Sequence, residues 1–283
     1  MTPEEAAWRP LRPDIARNST DARLQLHHAA QLVSAIGISY LPPQPDDSHT
    51  NLEWLATISS LASHAVSGPS PIRLAVRPHP FALLLLDAGG QRATLPLHGC
   101  TVAEAANWVR QQLAAQGVDA TAYTLAKHFT IPPHAVAESA PFDATDANAF
   151  DELGAWYANA ALVLDAVVAQ TPNASAVRCW PHHFDLATLI EIAPGNGSRK
   201  TISLGMEPGD SYYAEPYFYA SMYPSPAADE QRGALDGGGM WHTREWIGAV
   251  LPASRVGRDG QRAQLDAFVA SAIRECTVLL RRG

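Results

Sequence analysis

The sequence predicts an α+β fold, with antiparallel sheet and helices packed on one side of it. Of the 283 residues, 47% are hydrophobic, which is enough to bury a large core without disulfide bonds. Short apolar and aromatic runs lie between tight turns, as in hairpin-joined strands, and longer stretches repeat apolar residues with helical spacing. We therefore expect a single α+β domain over 1–283. The alternative is a division into two similar halves, 19–131 and 146–283.

The N-terminal half is expected to hold two helices, a meander of three strands, a third helix and a further strand. Apolar residues three or four positions apart predict the first two helices. Thr101 and Glu104 form the T-x-x-E pattern of a capping box, which opens the third helix. The predicted ranges are helices 19–36, 52–61 and 102–116, and strands 72–76, 81–87, 92–97 and 123–131.

The C-terminal half is expected to hold a long helix, three strands and a last helix. Phe150, Leu153 and Tyr157 begin the apolar face of the long helix. Proline and glycine mark turns at 194–197 and 207–210. The predicted ranges are helices 146–170 and 261–281, and strands 177–192, 201–206 and 213–222.

Charge and cysteine content restrict the partners and the compartment. The net charge is −8, whereas phosphate binding needs a concentrated basic surface, so nucleic acid is not an expected partner. The start lacks the pattern of a signal peptide, and no run approaches the roughly 18 apolar residues of a membrane span. Cys100, Cys179 and Cys276 are far apart, as in proteins with reduced thiols. These features predict a cytoplasmic protein with no membrane partner, and they leave its oligomeric state open.

The sequence also lacks the usual signals of several enzyme classes. It contains no P-loop, no G-x-G-x-x-G, no G-x-S-x-G and no H-E-x-x-H. We therefore expect no nucleotide cofactor, and the expected partner is a small-molecule ligand.

The segment WPHHFD carries the densest set of reactive side chains. On a strand, alternation would put His183 and Asp185 on one face and His182 on the other. A His-x-Asp pair can supply two ligands of a zinc site or of an iron site with two histidines and a carboxylate. The expected third ligand is His242, which follows three glycines and lies between two tryptophans. The alternative is a half-buried histidine that anchors a loop.

The segment EPYFYASMY predicts a half-polar wall. Alternation on a strand would place Glu215, Tyr217 and Tyr219 on a common face, suited to a ligand with rings or hydroxyl groups. The alternative is a solvated antiparallel strand, in which tyrosine is favoured anyway. Near the N-terminus, the segment DDSH, which contains His49, is either a helix cap or part of an active-site loop.

Four segments resemble a family of uncharacterised bacterial proteins. They are PDDSHTNLEW, RCWPHHFDLATL, GMEPGDSYYAEPYFYASMYP and WHTREWIGAVLP, and the resemblance covers the chain from about Leu24 to the final helix. The resemblance implies membership of a group and no particular activity, so the chemistry is inferred from the residue types.

Three functional hypotheses follow. In the first, the protein is a metal-dependent enzyme that acts on a small organic molecule and uses Zn or Fe. Its metal ligands are His183, Asp185 and His242; its catalytic residues are Glu215 and His182; its substrate-binding residues are Tyr217, Tyr219, Trp241 and His49. In the second, the same aromatic and histidine residues line the pocket of a non-catalytic binding or scaffold protein. The third is metal-free acid–base catalysis by a histidine–glutamate pair.

Overall fold

The computed structural model describes residues 7–68, 70–192 and 199–282, and it confirms the α+β class. Two antiparallel sheets are combined with α-helices. The chain forms two compact units, neither of them continuous in sequence. The N-terminal unit contains residues 19–154 and 178–184, and the C-terminal unit contains the residues up to 18, 155–177 and those from 185 onward.

The described residues form α-helices and β-strands along the chain. The α-helices are α1 Pro13–Ala16, α2 Thr20–Tyr40, α3 Val102–Ala115, α4 Ala147–Gln170 and α5 Gln261–Arg282. The strands are β1 Glu53–Leu55, β2 Ser60–Ala62, β3 Arg73–Arg77, β4 Ala82–Asp87, β5 Gly90–Pro96, β6 Arg178–Cys179, β7 Leu186–Ile192, β8 Lys200–Glu207, β9 Tyr217–Tyr223, β10 Met240–His242 and β11 Gly248–Pro252.

The capped helix and the two longest helices are confirmed. Thr101 accepts from the backbone N–H of Glu104, whose carboxylate accepts from the backbone N–H of Thr101, which completes the capping box of α3. The predicted strand over 123–131 is wrong, because this stretch has no regular secondary structure. The predicted turn at 194–197 lies outside the described residues.

The sheet of the N-terminal unit is an antiparallel meander in the order β1-β2-β3-β4-β5. The helix predicted over 52–61 is wrong, because β1 and β2 form a hairpin there, with Trp54 paired to Leu61. A 3₁₀ turn and Ser59 at φ 48° reverse the chain between the two strands. Apolar residues three positions apart are compatible with a short hairpin as well as with a helix. This periodicity therefore does not distinguish the two structures, and the helix prediction failed.

The helix predicted over 19–36 continues through Gly37 to Tyr40. A Cβ at Gly37 would lie 2.0 Å from the backbone oxygen of His49. The glycine therefore lets the turn at Ser48–Thr50 approach the helix backbone closely.

A turn at 181–184 interrupts the strand that was predicted over 177–192. Phe184 has a φ of 73° and donates its N–H to the carbonyl of Trp180 at 2.6 Å. His27 of α2 holds the turn: its ring stacks on Phe184 with centroids 4.6 Å apart, and its Nε2 donates to the carbonyl of Pro181 at 2.8 Å. The turn, and not an alternating strand, therefore sets the directions of the side chains in WPHHFD.

The C-terminal unit contains an antiparallel arrangement in the order β10-β11-β9-β8-β7. One face is apolar, and Leu204 and Phe218 on this face are fully buried. The ring centroid of Trp156 in α4 lies 6.1 Å from that of Phe218, and α5 contacts β8, β9 and β11. The opposite face of β8 and β9 carries serine, tyrosine and carboxylate side chains.

Among the described residues, one helix, α4, has the length and composition of a membrane span. Within the most apolar 18-residue window of α4, 61% is buried inside the protein, as in a core helix.

The environment of His27 predicts a pH dependence of stability. Burial lowers the pKa of His27 from 6.5 to about 3, so the ring is neutral in the folded protein and charges in the unfolded chain. The unfolded state therefore binds the extra proton between about pH 6.5 and 3, and stability falls as the pH falls through this window. Between pH 7 and 5 we expect His27 to contribute a loss of about 2 kcal/mol in the free energy of unfolding.

The measurement is urea unfolding at both pH values of the wild type, of His27→Gln and of the exposed-site control His79→Gln. His27→Gln should be less stable at pH 7 and should lose this part of the pH dependence, whereas His79→Gln should keep it. An unchanged pH dependence in His27→Gln would contradict the assignment.

Candidate functional site

A network of phenol, carboxylate and imidazole groups lies at one end of the polar face of the C-terminal unit. We call it the phenol cluster, and its members are Asp185, Glu207, Asp210, Tyr213, Tyr217, Tyr219 and His242. The register of the strands builds it: Tyr217 lies opposite Glu207 and Tyr219 lies opposite Gly205, while Asp185 directly precedes β7. Asp185, Glu207 and Tyr217 are buried, and Tyr219 is partly exposed.

Gly205 makes room for the central contact of the cluster. A Cβ at Gly205 would lie 2.8 Å from both Cε1 and Oη of Tyr219, and 2.9 Å from the Cβ of Ala187. The ring of Tyr219 therefore lies across β8, where its hydroxyl donates to Oδ2 of Asp185 at 2.5 Å. A phenol on β9 thus reaches a carboxylate beside β7 because the strand between them has no side chain at this point.

Asp210 organises the loop that leads into β9. Its Oδ1 accepts from the backbone N–H groups of Tyr212 and Tyr213 at 2.7 and 2.9 Å, and its Oδ2 accepts from the hydroxyl of Tyr217 at 2.8 Å. The EPGD segment, for which the sequence predicts a turn, therefore also fixes a phenol of the cluster.

His242 fixes the third phenol. Its Nε2 lies 2.6 Å from the carbonyl of Arg244, which can only accept, so Nε2 carries a proton. In the neutral ring Nδ1 then accepts, and the hydroxyl of Tyr213 donates to it at 2.9 Å. Trp246 stacks on the imidazole with centroids 4.4 Å apart. His242 is therefore a buried, anchored histidine, which is the alternative left open by the sequence.

The three phenols form a continuous row. Ring centroids are 4.9 Å apart between Tyr213 and Tyr217, and 6.3 Å apart between Tyr217 and Tyr219. Burial raises the pKa of all three, and the charge of Asp185 adds to the rise at Tyr219. The hydroxyl groups therefore stay protonated at neutral pH and act as hydrogen-bonding groups.

Glu215 lies outside this row, because β9 begins at Tyr217. Its carboxylate accepts from the backbone N–H and the hydroxyl of Ser254, both at 2.7 Å. Glu215 thus caps the 3₁₀ turn Ala253–Arg255, and the carboxylates beside the tyrosines are Asp185, Glu207 and Asp210.

The three expected metal ligands are divided between the two units. His183 is exposed in the turn of the N-terminal unit, whereas Asp185 and His242 belong to the phenol cluster of the C-terminal unit. Within residues 7–68, 70–192 and 199–282, no group of three or more His, Cys, Asp or Glu side chains is placed to hold a metal ion.

His182 lies among aromatic rings of the N-terminal unit. Its ring centroid is 4.4 Å from that of His183, 5.8 Å from that of Phe129 and 6.2 Å from that of Trp180. Burial lowers the pKa of His182, and the neighbouring His183 lowers it further. The ring is therefore neutral at physiological pH.

The remaining predicted residues make local contacts. Nδ1 of His49 accepts from the backbone N–H of Gln44 at 3.2 Å, and the indole of Trp241 donates to the carbonyl of Gly233 at 2.8 Å. In the DDSH segment, Asp46 accepts from the N–H of Ser48 and thereby stabilises the turn before Ser48–Thr50.

The site residues that sequence reasoning missed lie in the segment GMEPGDSYY. Alternation within β8 puts Gly205 and Glu207 on one face, and β9 supplies Tyr217 and Tyr219 to the same face. The pairing of these two strands could have been inferred from the intervening turn, but the passage of a tyrosine ring across a glycine could not.

The close fit at Gly205 predicts a large effect of adding one methyl group. Gly205→Ala should lower the free energy of unfolding by about 1–3 kcal/mol, because Tyr219 and Ala187 must both shift. In a Tyr219→Ala background, which lacks two of the three close atoms, Gly205→Ala should lower the free energy of unfolding much less than it does in the wild type.

Chemical denaturation measures both effects. The matched control is Gly257→Ala, because the nearest atoms to a Cβ there are 3.5 Å away. Equal stability changes in Gly205→Ala and Gly257→Ala would contradict the close approach.

Comparison of the chain with protein-family models, with curated proteins and with solved structures finds no match. Its resemblance to a family of bacterial proteins stays a prediction.

Proposed function

We propose that this chain is a binding protein for a small organic molecule, and that the ligand lies against the phenol cluster. The observation that carries the proposal is the contact of Tyr219 with Asp185 across Gly205. Burying a carboxylate is unfavourable unless it is hydrogen-bonded, and apolar residues would stabilise a sheet at least as well. A functional role accounts for polar groups collected at this position.

The hydrogen-bonding pattern favours a ligand that carries donor groups. Each phenol donates its proton into the cluster: Tyr219 to Asp185, Tyr217 to Asp210 and Tyr213 to His242. The phenol oxygens therefore keep lone pairs with which to accept. Because the side chains of Tyr213 and Tyr219 are partly exposed, we infer that a ring of the ligand packs on their rings and that its hydroxyl or amine groups reach these lone pairs.

Acid–base catalysis at the same place is the second candidate. It is favoured by the carboxylates of Asp185 and Glu207, which lie on the same face as the tyrosines. The raised pKa values of Tyr217 and Tyr219 oppose a role of these phenols as bases at neutral pH. Ligand binding does not require a phenol to act as a base, and we therefore prefer the binding function to acid–base catalysis.

A zinc or iron enzyme stays a prediction. Its test is elemental mass spectrometry of tag-free protein beside the double variant His183→Ala/Asp185→Ala. Near-stoichiometric metal that disappears in the variant would replace the binding proposal with the metal-dependent one.

We also infer that the protein works in the cytoplasm. Cys100, Cys179 and Cys276 are free thiols, of which the last two are buried, and this state is typical of a reducing compartment.

The binding proposal predicts an effect of one hydroxyl group. Three probes are used. Tyramine carries an aromatic ring and an amine, ethanolamine carries an amine and a hydroxyl group, and glucose carries several hydroxyl groups. At least one should bind the wild type saturably in isothermal titration calorimetry, and Tyr219→Phe should weaken that binding about tenfold by removing an acceptor.

The matched control is Tyr223→Phe, which removes a hydroxyl from the same face of the same strand, where the side chain is 67% exposed. This control should bind like the wild type. Absence of saturable binding for all three probes, or equal binding by Tyr219→Phe and the wild type, would contradict the proposal.

A further inference from the structure

A small polar cavity lies in the N-terminal unit, apart from the phenol cluster. It is lined by Asn51, Glu53, Ala62, His64, Arg73 and Arg178. Two of the segments that carry the family resemblance meet here. Leu52 and Cys179 exchange backbone hydrogen bonds of 2.9 and 2.8 Å, which brings the NLEW and RCW segments side by side.

Asn51 presents donor hydrogens to the cavity. Nε2 of His64 lies 3.0 Å from both the carbonyl of Ser48 and Oδ1 of Asn51. The carbonyl can only accept, so Nε2 of His64 carries a proton and Asn51 must turn its amide oxygen toward the histidine. Asn51 is only 5% exposed, and its Nδ2 group makes no hydrogen bond within the described part of the chain.

Arg73 is held rigidly at the wall of the cavity. Its Nε donates to the carbonyl of Ser63 at 2.6 Å, and its Nη2 forms an ion pair with Oε2 of Glu53 at 2.7 Å. These contacts orient the planar guanidinium group and leave Nη1 for another acceptor. Arg178 also lines the cavity, so its wall contains two guanidinium groups and one carboxylate.

The pKa of His64 reflects the groups around the cavity. Burial lowers this pKa and the charges of Arg178 and Arg73 lower it further, while the hydrogen bond to Ser48 and the charge of Glu53 offset this only in part, so the ring stays neutral. The wall therefore offers hydrogen-bond donors and guanidinium groups to any molecule that enters.

The size and charge of the cavity limit the ligand group. Its inner end has room for a group of the size of a water molecule, and its empty volume is about 150 Å³ when the open mouth is included. One oxygen atom of a carboxylate fits the inner end, while its carbon substituent points toward the mouth. Because the carboxylate of Glu53 also lines the cavity, a singly charged carboxylate is repelled less than a doubly charged phosphate.

We propose that this cavity binds the carboxylate group of a small organic acid. One carboxylate oxygen accepts from Nδ2 of Asn51 and from the guanidinium group of Arg73, and Arg178 adds a second positive charge. Planar guanidinium groups match the geometry of a carboxylate and are common in carboxylate-binding sites. The site does not depend on the proposed function of the phenol cluster.

The test uses formate and acetate as probes of the full chain, with isothermal titration calorimetry and an NMR titration of the histidine rings. We expect saturable binding with a Kd of the order of 1 mM and a rise in the pKa of His64, because the bound anion offsets the arginine charges. Asn51→Asp replaces the amide donor with a negative charge at nearly equal size, and it should weaken formate binding by about tenfold or more.

Arg73→Gln is the second variant and should also weaken binding, so the test does not rest on the folding of Asn51→Asp alone. Arg77→Gln is the matched control, because Arg77 lies on the same strand and donates to the carbonyl of Pro80 outside the cavity. It should bind formate like the wild type. Absence of saturable binding, equal binding by Arg73→Gln and Arg77→Gln, or phosphate binding tighter than that of formate would overturn the proposal.

Discussion

The candidate site of the C-terminal unit depends on the absence of a side chain at Gly205. The antiparallel register places this glycine directly opposite Tyr219, so the phenol ring can cross β8 and reach Asp185 beside β7. A methyl group would meet the ring and Ala187 at distances below 3 Å. One small residue in the middle strand therefore couples three strands through a side-chain hydrogen bond.

The polar face of this sheet has two different ends. Along β9, Tyr217 is buried, Tyr219 and Ser221 are partly exposed and Tyr223 is 67% exposed. At the buried end, phenols and backbone N–H groups donate hydrogen bonds to Asp185 and Asp210, whereas Glu191 at the exposed end is paired with Arg199. An ordinary solvated strand needs no such arrangement, which is why we place a ligand at this end.

Patterns that depend on neighbours in sequence predicted much of the fold. The capping box at Thr101 and the long apolar repeats of α4 and α5 identified helices correctly, and alternation placed Tyr217 and Tyr219 on one face. One misassigned segment depends on a contact between distant residues. His27 stabilises the turn that replaces a strand at 181–184, and it lies more than 150 positions away. Likewise, the partners of Tyr219 and Asn51 follow from strand pairing, which a single sequence does not specify.

The most direct test of the account is a double-mutant cycle on the contact across Gly205. The free energy of unfolding is measured for the wild type, Tyr219→Phe, Asp185→Ala and the double variant. A hydrogen bond between a phenol and a buried carboxylate predicts a coupling energy of about 1.5–3 kcal/mol. A coupling energy near zero would contradict the contact on which both the phenol cluster and the proposed ligand site depend.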